Sequence, residues 1–180
     1  MLPDWVEFAP RPSEVDEPEE TAPTLEGNAI IKAVEVANFT GQWAIADDTG
    51  LLVDALGGEP GVRSARFAGE HATDAENRAL LLSRMQGVVD RTARFRTVIA
   101  LMHKGGEMHI LRGECEGTIA AAERGGNGFG YDSVFVPSEG DGRTFAEMSP
   151  EEKDAISHRA RALSGLAPLI ARIMGAPGPA

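Results

Sequence analysis

Two adjacent carboxylates, Asp47 and Asp48, follow a short apolar run and precede Thr49 and Gly50 in the stretch WAIADDTG. Acids at the mouth of a strand are costly unless a cation, a proton or a hydrogen-bond donor compensates them. The stretch is therefore either a charged site or an ordinary Asp-Thr-Gly turn. Three other places carry side chains fit for chemistry. Asn28 and Lys32 are four apart on a predicted helix and share one of its faces. The segment GGNGFGYD, ending at Asp132, is rich in glycine, lets backbone approach a ligand, and offers Phe129 and Tyr131 for stacking. A plain β-turn with an aromatic plug is the alternative. Lys153, Ser157, His158 and Arg159 fall in the first two turns of a predicted helix. A helix start favours anions, so cations there either have a task or form a solvated face.

The elements that must position these groups follow from pattern. Trp5 to Phe8 alternates enough for a short strand. Ala9 to Pro23 is a Pro-rich acidic loop holding Glu14, Asp16, Glu17, Glu19 and Glu20, any one of which can face a metal. Thr24 caps a helix from Leu25 to about Phe39, with an apolar stripe through Ala29, Ile30, Ala33, Val34 and Ala37. A strand then rises through Ile45 and ends at Gly50. Leu51 to Leu56 is expected as a helical turn, and Gly57 to Gly69 as a long irregular connection of the kind that carries function or moves. Thr73 and Glu76 have capping-box spacing and open a helix through Met85. Phe95 to Met102 reads as a core strand and Lys104-Gly105-Gly106 as a hairpin turn. Further strands are expected at Met108–Arg112, Gly117–Ala122 and Ser133–Val136. Ser149, Pro150 and Glu152 open a last helix running toward Met174, kinked at Pro168, before a disordered tail over 175–180.

Composition narrows the partners. At 180 residues the chain suits one domain, or a compact two-lobed one, with a genuine core. A formal net charge of −11 argues against a nucleic-acid polymer, but not against a small phosphorylated ligand held through a metal ion and a few cations. No apolar run reaches membrane-spanning length. The single cysteine, Cys115, excludes an internal disulfide and fits a reducing cytoplasm; its acidic neighbours point to a structural thiol.

Several stretches in order resemble the inosine triphosphate pyrophosphatase family: Glu19-Glu20-Thr21, TLEGNAIIKA from Thr24, AIADDTGL from Ala44, LGGEPGVRSARF from Leu56, ATDAEN from Ala72, GFGYD from Gly128 and EEKDAISHR from Glu151. The resemblance implies Mg²⁺-dependent hydrolysis of non-standard purine nucleoside triphosphates (ITP, dITP, XTP) to monophosphate and pyrophosphate, cleansing the nucleotide pool. It implies an α/β fold: an elongated mixed sheet in two lobes with flanking helices, a cleft between them, and a cytoplasmic homodimer. Asp48 would ligate Mg²⁺ and act as base toward water, Asp47 would support it, and Glu20 would be a second metal ligand. Lys32 would contact phosphate, and Thr49 would lie against the substrate. Phe129 would stack on the base, with Gly130, Tyr131 and Asp132 completing the pocket. Lys153, His158 and Arg159 would hold the base and nearby polar groups, helped by Ser157.

Such hydrolysis needs charge neutralised on the phosphates and a water made nucleophilic, which carboxylates and cations in one cleft can supply. The family begins with a strand, an Asn-x-x-Lys phosphate loop and a helix that this chain does not contain, so residues 1–174 are expected to be an N-terminally truncated form of the domain. Ser133 stands where the family usually has proline, which should affect only local stiffness. Three alternatives stay open: a nucleotide-binding protein made inactive by that missing loop, a hydrolase of modified pyrimidine triphosphates, and a dimeric aspartic peptidase built on Asp48-Thr49-Gly50.

Overall fold

The computed structural model describes residues 6–175. Its frame is one long antiparallel sheet in the order β1 (Ala44–Val53), β2 (Thr92–Met102), β3 (Met108–Ile119) and β4 (Phe135–Pro137). The helices are α1 (Leu25–Thr40), α2 (Asp74–Arg84), α3 (Pro150–Ile156), α4 (His158–Ser164) and α5 (Leu166–Met174). The expected α/β class with flanking helices is found, but every described strand pair is antiparallel where a mixed sheet was expected. No helix among the described residues is long and apolar enough to cross a membrane.

Strand register sorts the side chains between two faces, because successive residues alternate. Asp48 pairs with Val98 and Ala46 with Ala100, and α1 lays Leu25, Ala29 and Ala33 on that face. On the opposite face Leu101 packs with Leu166, Leu169 and Ile170 of α5. The far end of that second face builds the largest cluster, where Leu51, Phe95, Cys115, Phe135, Phe145 and Met148 meet Leu81 and Met85. Each fully buried large side chain contributes about 1.5–3 kcal/mol. Cys115 is buried there, and burial pushes its thiol up to about 11, so it is the structural residue expected.

Several local readings are corrected. β1 does not end at Gly50 but runs three residues further to Val53. Glycine is needed there for another reason: a Cβ would lie 2.5 Å from the carbonyl oxygen of Gly61, which crosses the strand at that point. The helical turn shrinks to Asp54–Leu56, and the supposed irregular connection contains a 3₁₀ turn at Gly61–Arg66. The strands expected at Met108–Arg112 and Gly117–Ala122 are one strand, β3, while the strand at Ser133–Val136 reduces to β4. Val6 to Phe8 has no regular structure, and Trp5 lies outside the described residues, as does the tail beyond Gly175.

The C-terminal helix is the largest correction. It is three helices, and the first break is at Ser157 rather than Pro168. Ser157 ends α3 and caps α4 with extended φ/ψ of −72° and 152°, its hydroxyl accepting from Ala160 N at 3.2 Å. Serine favours that role because its side chain replaces a backbone partner. Pro168 sits in the first turn of α5, where no intrahelical acceptor is needed. The break lets α4 settle onto β3. A Cβ on Gly113 would lie 2.0 Å from the carbonyl oxygen of His158 and 2.4 Å from Ala162 N, so only glycine permits this approach.

Candidate functional site

One group of charges lies between α1 and β1. Asp48, only 7% exposed, accepts from Lys32 Nζ through Oδ1 at 2.9 Å and from Asn28 Nδ2 through Oδ2 at 3.4 Å. The same Lys32 ammonium donates to Glu20 Oε1 at 3.0 Å, and Arg66 donates to Glu20 Oε2 at 2.8 Å. The Arg66 guanidinium also reaches the Glu20 carbonyl oxygen at 3.2 Å, so the acidic loop is pinned at this residue. Asn28 is held in turn by Ala22 N, which donates to its Oδ1 at 2.9 Å. Burial pushes the Asp48 carboxyl above the usual carboxylate range, and the Lys32 contact opposes this without cancelling it. Burial acts the same way on Glu20, but Arg66 and Lys32 together outweigh it and hold that carboxyl low. The two carboxylates thus differ in basicity although they share one cation.

A second group lines a cavity of about 550 Å³ beside α3 and α4. Phe129 stands at its mouth, 64% exposed, with Lys153 Nζ 5.1 Å and Arg159 Cζ 5.7 Å from its ring centre. Cations over an aromatic face are attracted by its quadrupole. Lys153 donates to Asp132 Oδ2 at 2.6 Å, and that oxygen also accepts from Phe129 N at 2.9 Å. Arg159 donates to Asp47 Oδ2 at 3.1 Å and reaches Thr49 Oγ1 at 3.5 Å. Thr49 is bonded at 2.7 Å to the buried hydroxyl of Thr97 across the strand pair. His158 lies in the wall, stacked on Phe95 at 4.5 Å and 13°. Burial, with Arg159 and Lys153 adding to it, pushes the imidazole down to about 3, so it is neutral at physiological pH. Its Nδ1 is the buried side-chain nitrogen or oxygen without a hydrogen-bond partner among the described residues.

These positions redistribute the expected roles. Glu20, Lys32 and Asp48 meet; Thr49, Phe129, Gly130, Asp132, Lys153, Ser157, His158 and Arg159 line the cavity. Asp47 does not support Asp48, because neighbours on a strand face opposite ways; it joins Arg159 and Thr49 instead. Tyr131 also lines the cavity, but its buried ring hangs from the Ser64 carbonyl through a 2.8 Å hydrogen bond and braces the wall. Ser157 acts chiefly as the cap that turns the chain into α4. Ser133 does more than alter stiffness, since its hydroxyl donates to Glu123 Oε2 at 2.9 Å. Sequence reasoning missed Asn28 as a partner of Asp48, Arg66 as the second hold on Glu20, and Thr97. The four-residue spacing to Lys32 signalled the first. Thr97 gave no signal, because cross-strand register is invisible without the pairing. The peptidase alternative finds no support in a carboxylate already engaged by a lysine and an asparagine.

Similarity to known proteins points the same way. The chain is 51% identical over 162 residues to a dITP/XTP pyrophosphatase of Corynebacterium diphtheriae, covering 87% of this chain and 78% of that protein. It is 50% identical over 159 residues to a dITP/XTP pyrophosphatase of Desulforamulus reducens, covering 87% and 79%. Among solved structures, a HAM1 protein from Coxiella burnetii superposes with a TM-score of 0.84 at 45% identity, covering 88% of this chain and 82% of that one. The Ham1 protein of Staphylococcus aureus gives a TM-score of 0.82 at 41% identity, covering 86% and 80%. The sequence profile of the Ham1 family matches residues 3–169, and the chain belongs to that family.

Proposed function

We propose that this chain hydrolyses dITP, XTP and ITP to the monophosphate and pyrophosphate, with the base in the cavity beside α4 and the phosphates at the Glu20–Lys32–Asp48 group. The observation that carries the reading is the cavity beside α4: Phe129 stands at its mouth with the Lys153 ammonium and the Arg159 guanidinium 5.1 and 5.7 Å from its ring centre, and neutral His158 lies in its wall. Arg159 and His158 are the side chains able to donate to the 6-oxo group of a hypoxanthine or xanthine base. Adenine would present its amino group to those donors and leave them unpaired, at about 1–3 kcal/mol per group. Phe129 supplies the stacking surface.

At the other end, Lys32 contacts phosphate and Asp48 takes the proton of the attacking water. Glu20 and Asp48 are hard oxygen donors of the type Mg²⁺ takes, one or two carboxylates per ion beside substrate phosphate and water. When bound there, Mg²⁺ supplies positive charge to the triphosphate. Along β1 Asp47 and Asp48 leave opposite faces, Asp48 toward Lys32 and Asp47 toward Arg159, so the base and phosphate ends of a nucleotide have partners from the same dipeptide.

The test is pyrophosphate release from dITP, XTP and dATP, with and without Mg²⁺, by the wild type and Asp48→Asn. We expect Mg²⁺-dependent release from the first two, and loss of turnover in the variant with its fold intact. In that variant the Lys32 ammonium keeps Glu20 as its carboxylate partner at 3.0 Å, so the charge is not left unpaired. Turnover near wild type in Asp48→Asn refutes the mechanism. The same reading makes the enzyme a cytoplasmic homodimer; the lone buried Cys115 fits a reducing compartment, and sedimentation velocity tests the dimer.

A further inference from the structure

We propose that Asp74 and Arg78 of α2 are positioning residues for base recognition: they hold the backbone N–H and C=O of Gly130, one each, and so fix where the Phe129 ring stands. Asp74 Oδ2 accepts from Gly130 N at 2.7 Å, and Arg78 Nη1 donates to Gly130 O at 2.9 Å. Both backbone polar groups of Gly130 are thus taken by two charged side chains one helical turn apart. Phe129 precedes it, and its own N–H is held by Asp132 at 2.9 Å. The loop therefore has three anchors around one residue, although that residue's ring is 64% exposed. Such anchoring has a purpose, because Gly128 and Gly130 flank Phe129 in left-handed conformations, with φ of 78° and 58°. A loop punctuated by glycines is otherwise free to sample many orientations.

Helix α2 does not need Asp74 for its own start. Thr73 caps it, accepting from Glu76 N at 3.2 Å, while Glu76 accepts from Thr73 N at 2.7 Å. The Asp74 carboxylate is free for the loop and also lines the base cavity. Arg78 is steadied from behind by Glu123, whose Oε2 accepts from Arg78 Nε at 2.7 Å and from Ser133 Oγ at 2.9 Å. Ser133 thereby joins the same brace. Hydrogen bonds to charged groups are stronger than neutral ones and impose direction, which suits a holder better than apolar packing would.

This inference rests on the base-site reading above, so its experiment has one arm that needs no turnover. Amide hydrogen exchange over residues 128–131 is followed in the nucleotide-free protein for wild type, Asp74→Ala and Asp74→Asn. Alanine removes the acceptor and is expected to speed exchange there about tenfold, equivalent to about 1.4 kcal/mol of local opening. Asparagine keeps an oxygen acceptor and is expected to stay near wild type. In the kinetic arm, Asp74→Ala should raise KM for dITP about tenfold while leaving kcat within about twofold, with Asp74→Asn restoring KM. Arg78→Met should raise KM likewise, with partial rescue by Arg78→Lys. Exchange and KM unchanged in Asp74→Ala overturn the proposal. So does a fall in kcat and melting temperature with KM unmoved, which marks a merely structural residue. If no form releases pyrophosphate, the hydrolase reading fails, while the exchange comparison still decides the clamp.

Discussion

His158→Phe tests the base site and the electrostatics behind it in one substitution. The phenyl ring keeps the stack on Phe95 and the neighbour contact with Phe145, whose ring centre lies 6.3 Å away. What it removes is the unpaired Nδ1 and the capacity to titrate. The imidazole is 5% exposed and pushed down to about 3 from an ordinary 6.5. The sign follows directly. Below pH 6.5 the unfolded chain binds a proton at this residue and the folded chain does not. Stability is therefore fully present above 6.5 and is lost as pH falls toward the folded value. The loss runs at about 1.4 kcal/mol per pH unit, so roughly 2 kcal/mol disappears between pH 6.5 and 5, and on the order of 5 kcal/mol across the whole window.

Urea unfolding at a series of pH values measures this. Carboxylates also titrate in acid, but they are common to both proteins, and the difference between the curves isolates residue 158. We expect His158→Phe to lose about 2 kcal/mol less than wild type on going from pH 7 to 5. At pH 7 it should be as stable or more so, since a buried unpaired nitrogen costing about 1–3 kcal/mol is gone. Its preference for dITP over dATP should fall about tenfold or more, because a donor to the 6-oxo group is missing. Parallel stability curves, or an imidazole that titrates near 6.5 by NMR in the wild type, refute the buried neutral histidine. An unchanged dITP to dATP ratio refutes its part in recognition.

Arg159→Ala should change stability by less than about 1 kcal/mol, because its partner Asp47 is exposed and such pairs contribute little. It should nevertheless reduce the dITP to dATP preference more than it weakens inhibition by inorganic triphosphate; steady-state kinetics on both nucleotides with that inhibitor decides this, and an unchanged dITP to dATP ratio would rule the role out. Gly113→Ala should destabilise by about 1–3 kcal/mol in urea unfolding, since its methyl group would meet backbone of α4 at 2.0 Å. Because that backbone carries His158, KM should rise as well, and a normal melting temperature would refute the close approach.

Chemistry was more legible in the sequence than geometry. Capping residues marked the starts of α1, α2 and α3 because a cap is a local device read within three residues. The C-terminal helix was misread because Ser157 looked like one more polar position on a helical face. Whether a serine caps or rides along a helix depends on what the next turn packs against, and here that is Gly113 on a strand over forty residues earlier in the chain. Gly50 misled for the same reason. A glycine inside a strand and one that ends a strand look alike until the crossing segment at Gly61 is in place. The identities of Lys32, Asp48, Phe129 and Arg159 were readable, since residue type carries the chemistry; their partners were not, since partners are set by register and by loops.

Asp47 and Asp48 show what register adds. As neighbours in sequence they look like a pair that shares one task, and in a loop they could converge on a single ion. In β1 they cannot, because consecutive side chains leave opposite faces of the sheet. Asp48 goes to the buried α1 side, where Lys32 compensates it and burial raises its proton affinity. Asp47 goes to the open α4 side, where it holds the guanidinium of Arg159 beside the base cavity. On the proposed reading, the alternation of a strand lets one dipeptide serve a proton acceptor on one face and a specificity residue on the other, at a spacing fixed by the backbone. The two acids should consequently fail differently: loss of Asp48 removes turnover for every nucleotide, while loss of Asp47 frees Arg159 and blurs the choice among bases with turnover retained. Asp47→Asn and Asp48→Asn compared on dITP and dATP read this directly, and an equal collapse of kcat in both would mean that the two carboxylates act together after all.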